Sequence, residues 1–150
     1  MKGEIYMHKG LLKITPAEAH VMCDGIKRLR LQRPDWFDLL TYEELASCYN
    51  GAGSDDTPKA IRKVLTRLLG FAREAILIHD AEYQYVKRFY PLDYMDRKKF
   101  FAANQRLGEN AEFLARKRTP WYSPLRYWRI LVARDARVIV DEWGYSAWIE

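Results

Sequence analysis

The stretch from Phe71 to about Lys87 constrains the fold more than any other part of the chain. Ala72, Ala75, Ile76, Leu77 and Ile78 make it apolar on nearly every side. A helix without a solvated stripe has to sit inside the molecule, so the remaining elements must wrap it. The chain has 150 residues, 49% of them hydrophobic and 14% aromatic. That is enough to enclose such a helix in one compact domain.

The rest of the sequence breaks into further helices at recognisable start and stop signals. Thr15-Pro16-Ala17-Glu18 combines an N-cap, a proline at the first helical position and a capping glutamate. A helix is expected from there to about Leu31, with Val21, Met22, Ile26 and Leu29 inward. Pro34 interrupts, and residues 35–40 read as a short turn with Trp36, Phe37, Leu39 and Leu40 inward. Thr41-Tyr42-Glu43-Glu44 repeats the capping pattern and predicts a helix over 42–48. Thr57-Pro58 opens another, with Ile61, Val64, Leu65, Leu68 and Leu69 at helical spacing, ended by Gly70 as a C′ glycine. After Pro91 a long helix is expected over 94–116, with Phe100, Phe101, Leu107, Phe113 and Leu114 inward. Ser123-Pro124 starts the last helix, 124–142, with Trp128, Ile130, Leu131, Val138 and Ile139 inward. Gly144 stops it before an aromatic tail. The expectation is a single all-α domain over residues 1–150, with residues 1–14 as an extended arm. Its core would be two long antiparallel helices, 71–88 and 94–116, with shorter helices packed around them.

Composition narrows the setting. Cys23 and Cys48 allow one disulfide at most, which points to a reducing compartment. No apolar run reaches the roughly 20 residues of a membrane span, and Met1–Tyr6 lacks the apolar core of a signal peptide. Synthesis in a cytoplasm is expected, with release at lysis or carriage in a particle as the routes out. The net charge of +5 permits contact with phosphates of lipid or nucleic acid without choosing between them.

One constellation has a spacing that packing does not require. A glycine loop, Cys48-Tyr49-Asn50-Gly51-Ala52-Gly53, precedes the apolar helix, which carries His79-Asp80-Ala81-Glu82-Tyr83. On a helix, His79 and Tyr83 share a face, while Asp80 points about 100° away. Histidine is the common general base near neutral pH. An aspartate and loop carbonyls are oxygen ligands of the kind calcium takes. A metal-assisted hydrolysis, with His79 deprotonating water, has its parts here. The competing reading is structural: a buried imidazole bonded to a carbonyl, and Asp80 paired with Arg62, Arg73 or Arg97.

Cys-Tyr-x-Gly-x-Gly followed by His-Asp-x-x-Tyr resembles secreted phospholipase A2 and the related domain of parvovirus capsids, over about residues 48–104. The resemblance implies a phospholipase A2-like core. It implies calcium held by the Tyr49, Gly51 and Gly53 carbonyls and the Asp80 carboxylate. It makes His79 the base, Asp96 its orienting partner, with Asp93 one turn earlier as the alternative, and Tyr83 a supporting residue. The chain departs from that pattern by an extra helix, roughly 58–69, between the loop and His79. A broader order of motifs resembles small phage and prophage proteins. It runs through Asn50-Gly51-Ala52-Gly53, Ala75 to Tyr83, Asp96 with Phe100 and Asn104, and Gly144 to Trp148.

The expected function is therefore a phage-derived, calcium-dependent ester hydrolase acting on a phospholipid, with an anionic membrane as its surface. The alternative is a non-enzymatic phage structural or assembly protein that contacts other phage proteins or nucleic acid. The basic residues of the C-terminal third, Arg116, Lys117, Arg118, Arg126, Arg129, Arg134 and Arg137, interleave with Trp121, Tyr122, Tyr127 and Trp128. That pattern suits nucleic acid, but Asp135, Asp141 and Glu142 dilute it into an ordinary solvated face.

Overall fold

The computed structural model describes residues 12–51, 59–89 and 97–143, and only the backbone of 86–89 and 143. The arm up to residue 11, Gly53, the Thr57-Pro58 start signal, Asp96 and the tail from Gly144 lie outside the described residues. Among the described residues the regular structure is entirely helical. Helix α1 spans Pro16–Leu29, α2 Tyr42–Cys48, α3 Lys59–Leu68, α4 Arg73–Phe89, α5 Arg97–Arg118 and α6 Pro124–Trp143. Short 3-10 turns occupy Asp35–Leu39 and Gly70–Ala72.

The capping signals act as local chemistry requires. The Thr15 hydroxyl accepts the Glu18 N–H at 3.2 Å, and the Thr41 hydroxyl accepts that of Glu44 at 3.1 Å. Each satisfies an N–H left without a carbonyl partner in the first turn. Helix α1 stops through Arg30, which adopts φ 53°. The Leu31 N–H reaches back to the Ile26 carbonyl and the Arg30 N–H to that of Lys27. This is a Schellman termination carried by a non-glycine residue, with Leu31 buried beyond it. Gly70, expected as a C′ glycine, opens the second 3-10 turn instead. Among the described glycines only Gly51 has positive φ, at 84°.

Helix α4 is the interior helix that its composition demands. Ala75, Ile76, Leu77, Ile78 and Ala81 are each at most 1% exposed. It packs antiparallel to α5: Glu74 near the start of α4 meets Arg118 at the end of α5, while His79 and Glu82, further along α4, meet Asn104 and Arg106 in the first half of α5. Helix α6 returns antiparallel along α5, with Glu112 against Arg134 and Asn104 against Asp141. Gly108 lets these two backbones close up: a Cβ built there would lie 3.2 Å from the Arg137 Cβ. The α5–α6 contact is more extensive than the α4–α5 contact, so α6 joins the expected antiparallel pair as a third long helix of the core. Helices α1 and α2 cover its other side, joined by a His20–Tyr42 ring stack.

Several apolar residues expected inside are outside. Val21 is 72% exposed and Leu39 83%. Phe101 and Phe113 on α5, and Trp128, Leu131 and Val138 on α6, are also exposed, as are Ile61, Val64 and Leu68 on α3. In each helix the period is right, but the buried sector is rotated. On α1 it is centred on Ala19, Met22, Cys23 and Ile26, and on α6 on Ile130, Val132, Ala133, Ala136 and Val140. Small residues let neighbouring backbones approach, so they take the contact positions while the larger side chains ride outside. Cys23 and Cys48 are both reduced and buried. Among the described residues no helix is long and apolar enough to cross a membrane.

Candidate functional site

The site forms where α4 crosses α5 and the glycine loop folds back onto α4. His79, Asp80 and Tyr83 are all buried, with His79 4% exposed. The loop is pinned to the helix by Asp80. Its Oδ2 accepts the Asn50 N–H at 2.7 Å, and the Gly51 N–H also bonds to the carboxylate. The positive φ of Gly51 is what turns the chain there, a conformation glycine adopts without steric cost.

Asn104 lies at the centre of the polar cluster and is fully buried. Its Nδ2 donates to Asp141 Oδ1 at 2.8 Å. Its Oδ1 accepts the Tyr83 hydroxyl at 2.9 Å and lies 2.8 Å from His79 Nε2. Asp141 has acceptor oxygens and no N–H, so the amide nitrogen of Asn104 must face it and the amide oxygen must face His79. His79 Nε2 therefore carries hydrogen and donates, which leaves Nδ1 as the second position of the ring. Nδ1 points toward Asp80, 3.9 Å from Oδ1. That separation is too long for a direct hydrogen bond.

Burial pushes the Asp80 carboxyl above its ordinary range; His79 and the Asn50 and Gly51 amides pull it the other way. Burial likewise raises the Tyr83 hydroxyl, with its bond to Asn104 opposing. Tyr49, buried at the start of the loop, is pushed up to about 12 by burial, with Arg73 opposing. Beside the cluster, Glu82 is raised by burial and countered by Arg106, whose Nε and Nη2 both donate to Glu82 Oε1.

Five of the residues expected at the site, Tyr49, Gly51, His79, Asp80 and Tyr83, are brought together. Gly53 and Asp96 fall outside the described residues. The Asn50 and Gly51 amide hydrogens turn toward the Asp80 carboxylate. Donors of that kind suit an anion and supply nothing to a cation. Among the described residues no three His, Cys, Asp or Glu side chains converge for a metal.

From the sequence, Asn104 stood only as a position in the phage-like motif order and Asp141 only as an acid among the C-terminal cations, neither with a role at the site. The available signal was Asn104 itself: it stands in the inward period Phe100, Ala103, Leu107, Ala111, Leu114, all buried. A polar residue in such a stripe requires partners on facing helices. No family model, curated protein or solved structure matches the chain.

Proposed function

We propose that the chain is a hydrolase of the His-Asp helix type, of the kind resembled by phospholipase A2 and borne by a phage-derived protein, with His79 as general base and a lipid ester as substrate. The observation that carries this reading is the anchoring of His79 Nε2–H on Asn104 Oδ1. An imidazole held by one nitrogen presents a lone pair at the other, in fixed orientation. That is the base-plus-orienter arrangement of water-activating histidines. Nδ1 takes a proton from water as the water oxygen attacks the ester carbonyl. The tetrahedral adduct then expels the alcohol, which takes that proton back from Nδ1. Asn104 holds the ring through both transfers, and Tyr83 holds Asn104.

In this reading Asn104 fills the place that the resemblance gives to Asp96. Calcium, when bound, would polarise the ester carbonyl; no step is routed through it, because the described loop offers Asp80 amide hydrogens. The test is release of fatty acid from phospholipid vesicles by wild type and His79→Ala, with calcium and with chelator. Release that requires His79 supports the hydrolase, and the chelator arm decides calcium. Absence of release in both calcium conditions removes the hydrolase reading.

A second reading has its own observation. His79 is 4% exposed, and Asp80 is bonded to the loop amides. A buried network of this kind also suits a non-enzymatic structural or assembly protein in which the cluster clips the loop to the core. That protein would keep its partners in His79→Ala.

A further inference from the structure

Helix α3 keeps a second apolar stripe on its solvent side. Its sequence, KAIRKVLTRL, holds four cations and no acid. At 100° per residue, Ile61, Val64 and Leu68 fall on one stripe, and Thr66 lies about 140° from Ile61. An amphipathic helix on a globular surface hides its apolar stripe and wets its polar side. Here Ile61 is 48% exposed, Val64 55% and Leu68 38%, while Thr66 is 3% exposed. Thr66 tolerates burial because its hydroxyl donates to the Arg62 carbonyl at 2.7 Å. The helix thus faces the protein with its Leu65–Thr66 edge, Leu65 packing partly buried against the core, and the solvent with the Ile61–Val64–Leu68 stripe, and Lys59, Lys63 and Arg67 stand exposed around it.

We infer that α3 is a docking helix for an anionic lipid surface. A contiguous apolar stripe exposed to water is a marker of an interaction site. Which partner it fits follows from charge. A stripe that embeds in acyl chains, rimmed by exposed cations with no acidic residue in the helix, matches the headgroup–acyl boundary of an anionic bilayer. A helix of ten residues lies in that boundary; it does not cross it. The docking surface is also tied to the site described above: Arg62 Nη1 donates to Asn50 Oδ1 at 3.2 Å, and the Asn50 N–H donates to Asp80. The inference goes beyond the hydrolase reading and does not need it, since docking and ester cleavage use different residues.

The test is co-sedimentation of the full chain with ether-linked vesicles, which have no ester to cleave. One set contains phosphatidylcholine alone and the other adds phosphatidylglycerol. Three proteins are compared: wild type, Ile61→Ser/Val64→Ser/Leu68→Ser, and Lys59→Gln/Lys63→Gln/Arg67→Gln. All six positions are exposed, and far-ultraviolet circular dichroism and melting check that each variant folds. Wild type is expected to bind phosphatidylglycerol vesicles and to release them as salt rises. Each cation near the surface contributes a factor of about five, so the basic triple is expected to bind roughly 100-fold more weakly. The apolar triple is expected to bind at least about tenfold more weakly. The inference is overturned if wild type does not bind anionic vesicles, or if neither triple weakens binding. It is equally overturned if the apolar triple abolishes a self-association of wild type without changing vesicle binding, or if duplex DNA is bound in preference to vesicles. Vesicle docking without fatty-acid release would retire the hydrolase alone; release without docking would retire this inference alone.

Discussion

His79 Nε2 and Asn104 Oδ1 meet at 2.8 Å across two antiparallel helices, and the direction of that hydrogen bond is set by a third helix. Asp141 on α6 takes the Asn104 amide nitrogen and so determines which end of the amide faces the imidazole. The tautomer of His79 is in this way decided two residues away. Nitrogen-15 NMR of His79 is expected to show hydrogen on Nε2 and a bare Nδ1 in the neutral ring. In Asp141→Ala the amide is free to rotate, and a mixture of the two tautomers is expected. An unchanged nitrogen spectrum in that variant would mean that Asp141 does not orient the ring.

Removing Asn104 itself has a larger structural cost. Asn104→Ala leaves the Tyr83 hydroxyl, His79 Nε2 and Asp141 Oδ1 each short of a partner, two of them on buried side chains. At about 1 kcal/mol for each hydrogen bond, and more where a group is left buried and bare, a loss of about 3 kcal/mol is expected. Urea unfolding measures it. Tyr83→Phe removes one donor and leaves Asn104 with its other partners, so its cost is expected near 1 kcal/mol.

These two residues also mark where the sequence is legible and where it is not. The capping threonines and the interior helix were visible because the physics is local: Thr15 and Thr41 bond to amides three residues on, and the residues of α4 carry their own apolarity. The orientation of α1, α3 and α6 was not visible. A helical period gives a stripe, but the neighbour decides which stripe is buried, and here alanines at the contacts displaced Val21, Trp128 and Leu131 outward. At the site, the clustering of the glycine loop with His79 and Asp80 was legible from residue types and spacing. The loop's polarity toward Asp80 was not, because every loop residue carries both an N–H and a carbonyl, and only the fold chooses which one turns inward. Asn104 gained its role from α4 and α6 together, a contact spanning 25 residues in one direction and 37 in the other.

Asp80 gives a pH dependence of unusual sign. Burial raises its folded-state pKa above the ordinary 3.8, against the pull of His79 and the loop amides. A raised carboxyl binds more protons folded than unfolded between the two values, so the stability it confers falls as pH rises through that window and stays lower above it. Asp80→Asn removes the titration. It also gives up an acceptor oxygen for the Asn50 and Gly51 amides, a cost that does not depend on pH. The destabilisation caused by Asp80→Asn is therefore expected to be larger near about pH 4 than near about pH 7, measured by urea unfolding at both. A cost that grows toward neutral pH would show that the amides outweigh burial and that the folded pKa is lowered.

Arg118 closes the far end of the α4–α5 pair. Its two Nη atoms reach both Glu74 oxygens, at 2.8 and 2.7 Å, and Nη1 also donates to the Phe71 carbonyl. Glu74 is 9% exposed, so removing the guanidinium strands a buried carboxylate. Breaking such a pair costs about 3–5 kcal/mol when fully buried. Arg118 is about one-third exposed, so about 2 kcal/mol is expected for Arg118→Ala. A lysine ammonium cannot span both oxygens with a planar fork, so Arg118→Lys is expected to recover less than half of that loss. Thermal unfolding of the pair of variants measures both.

Arg30 holds the Schellman turn of α1 at φ 53°, where a Cβ crowds the backbone at a cost of about 1 kcal/mol. Its side chain is exposed, and the turn's hydrogen bonds come from the backbone of Arg30 and Leu31, so glycine keeps them. Arg30→Gly relieves the crowding but gives the unfolded chain more freedom, which offsets part of the gain. The net expectation is a stabilisation of up to about 1 kcal/mol, with Arg30→Asn between it and wild type. Arg30→Ala retains the Cβ and is expected to leave stability within about 0.5 kcal/mol. The order Gly above Asn above Ala in urea midpoints would identify backbone strain as the cause. Equal loss in all three would instead assign the arginine side chain a contact that holds α1 in place.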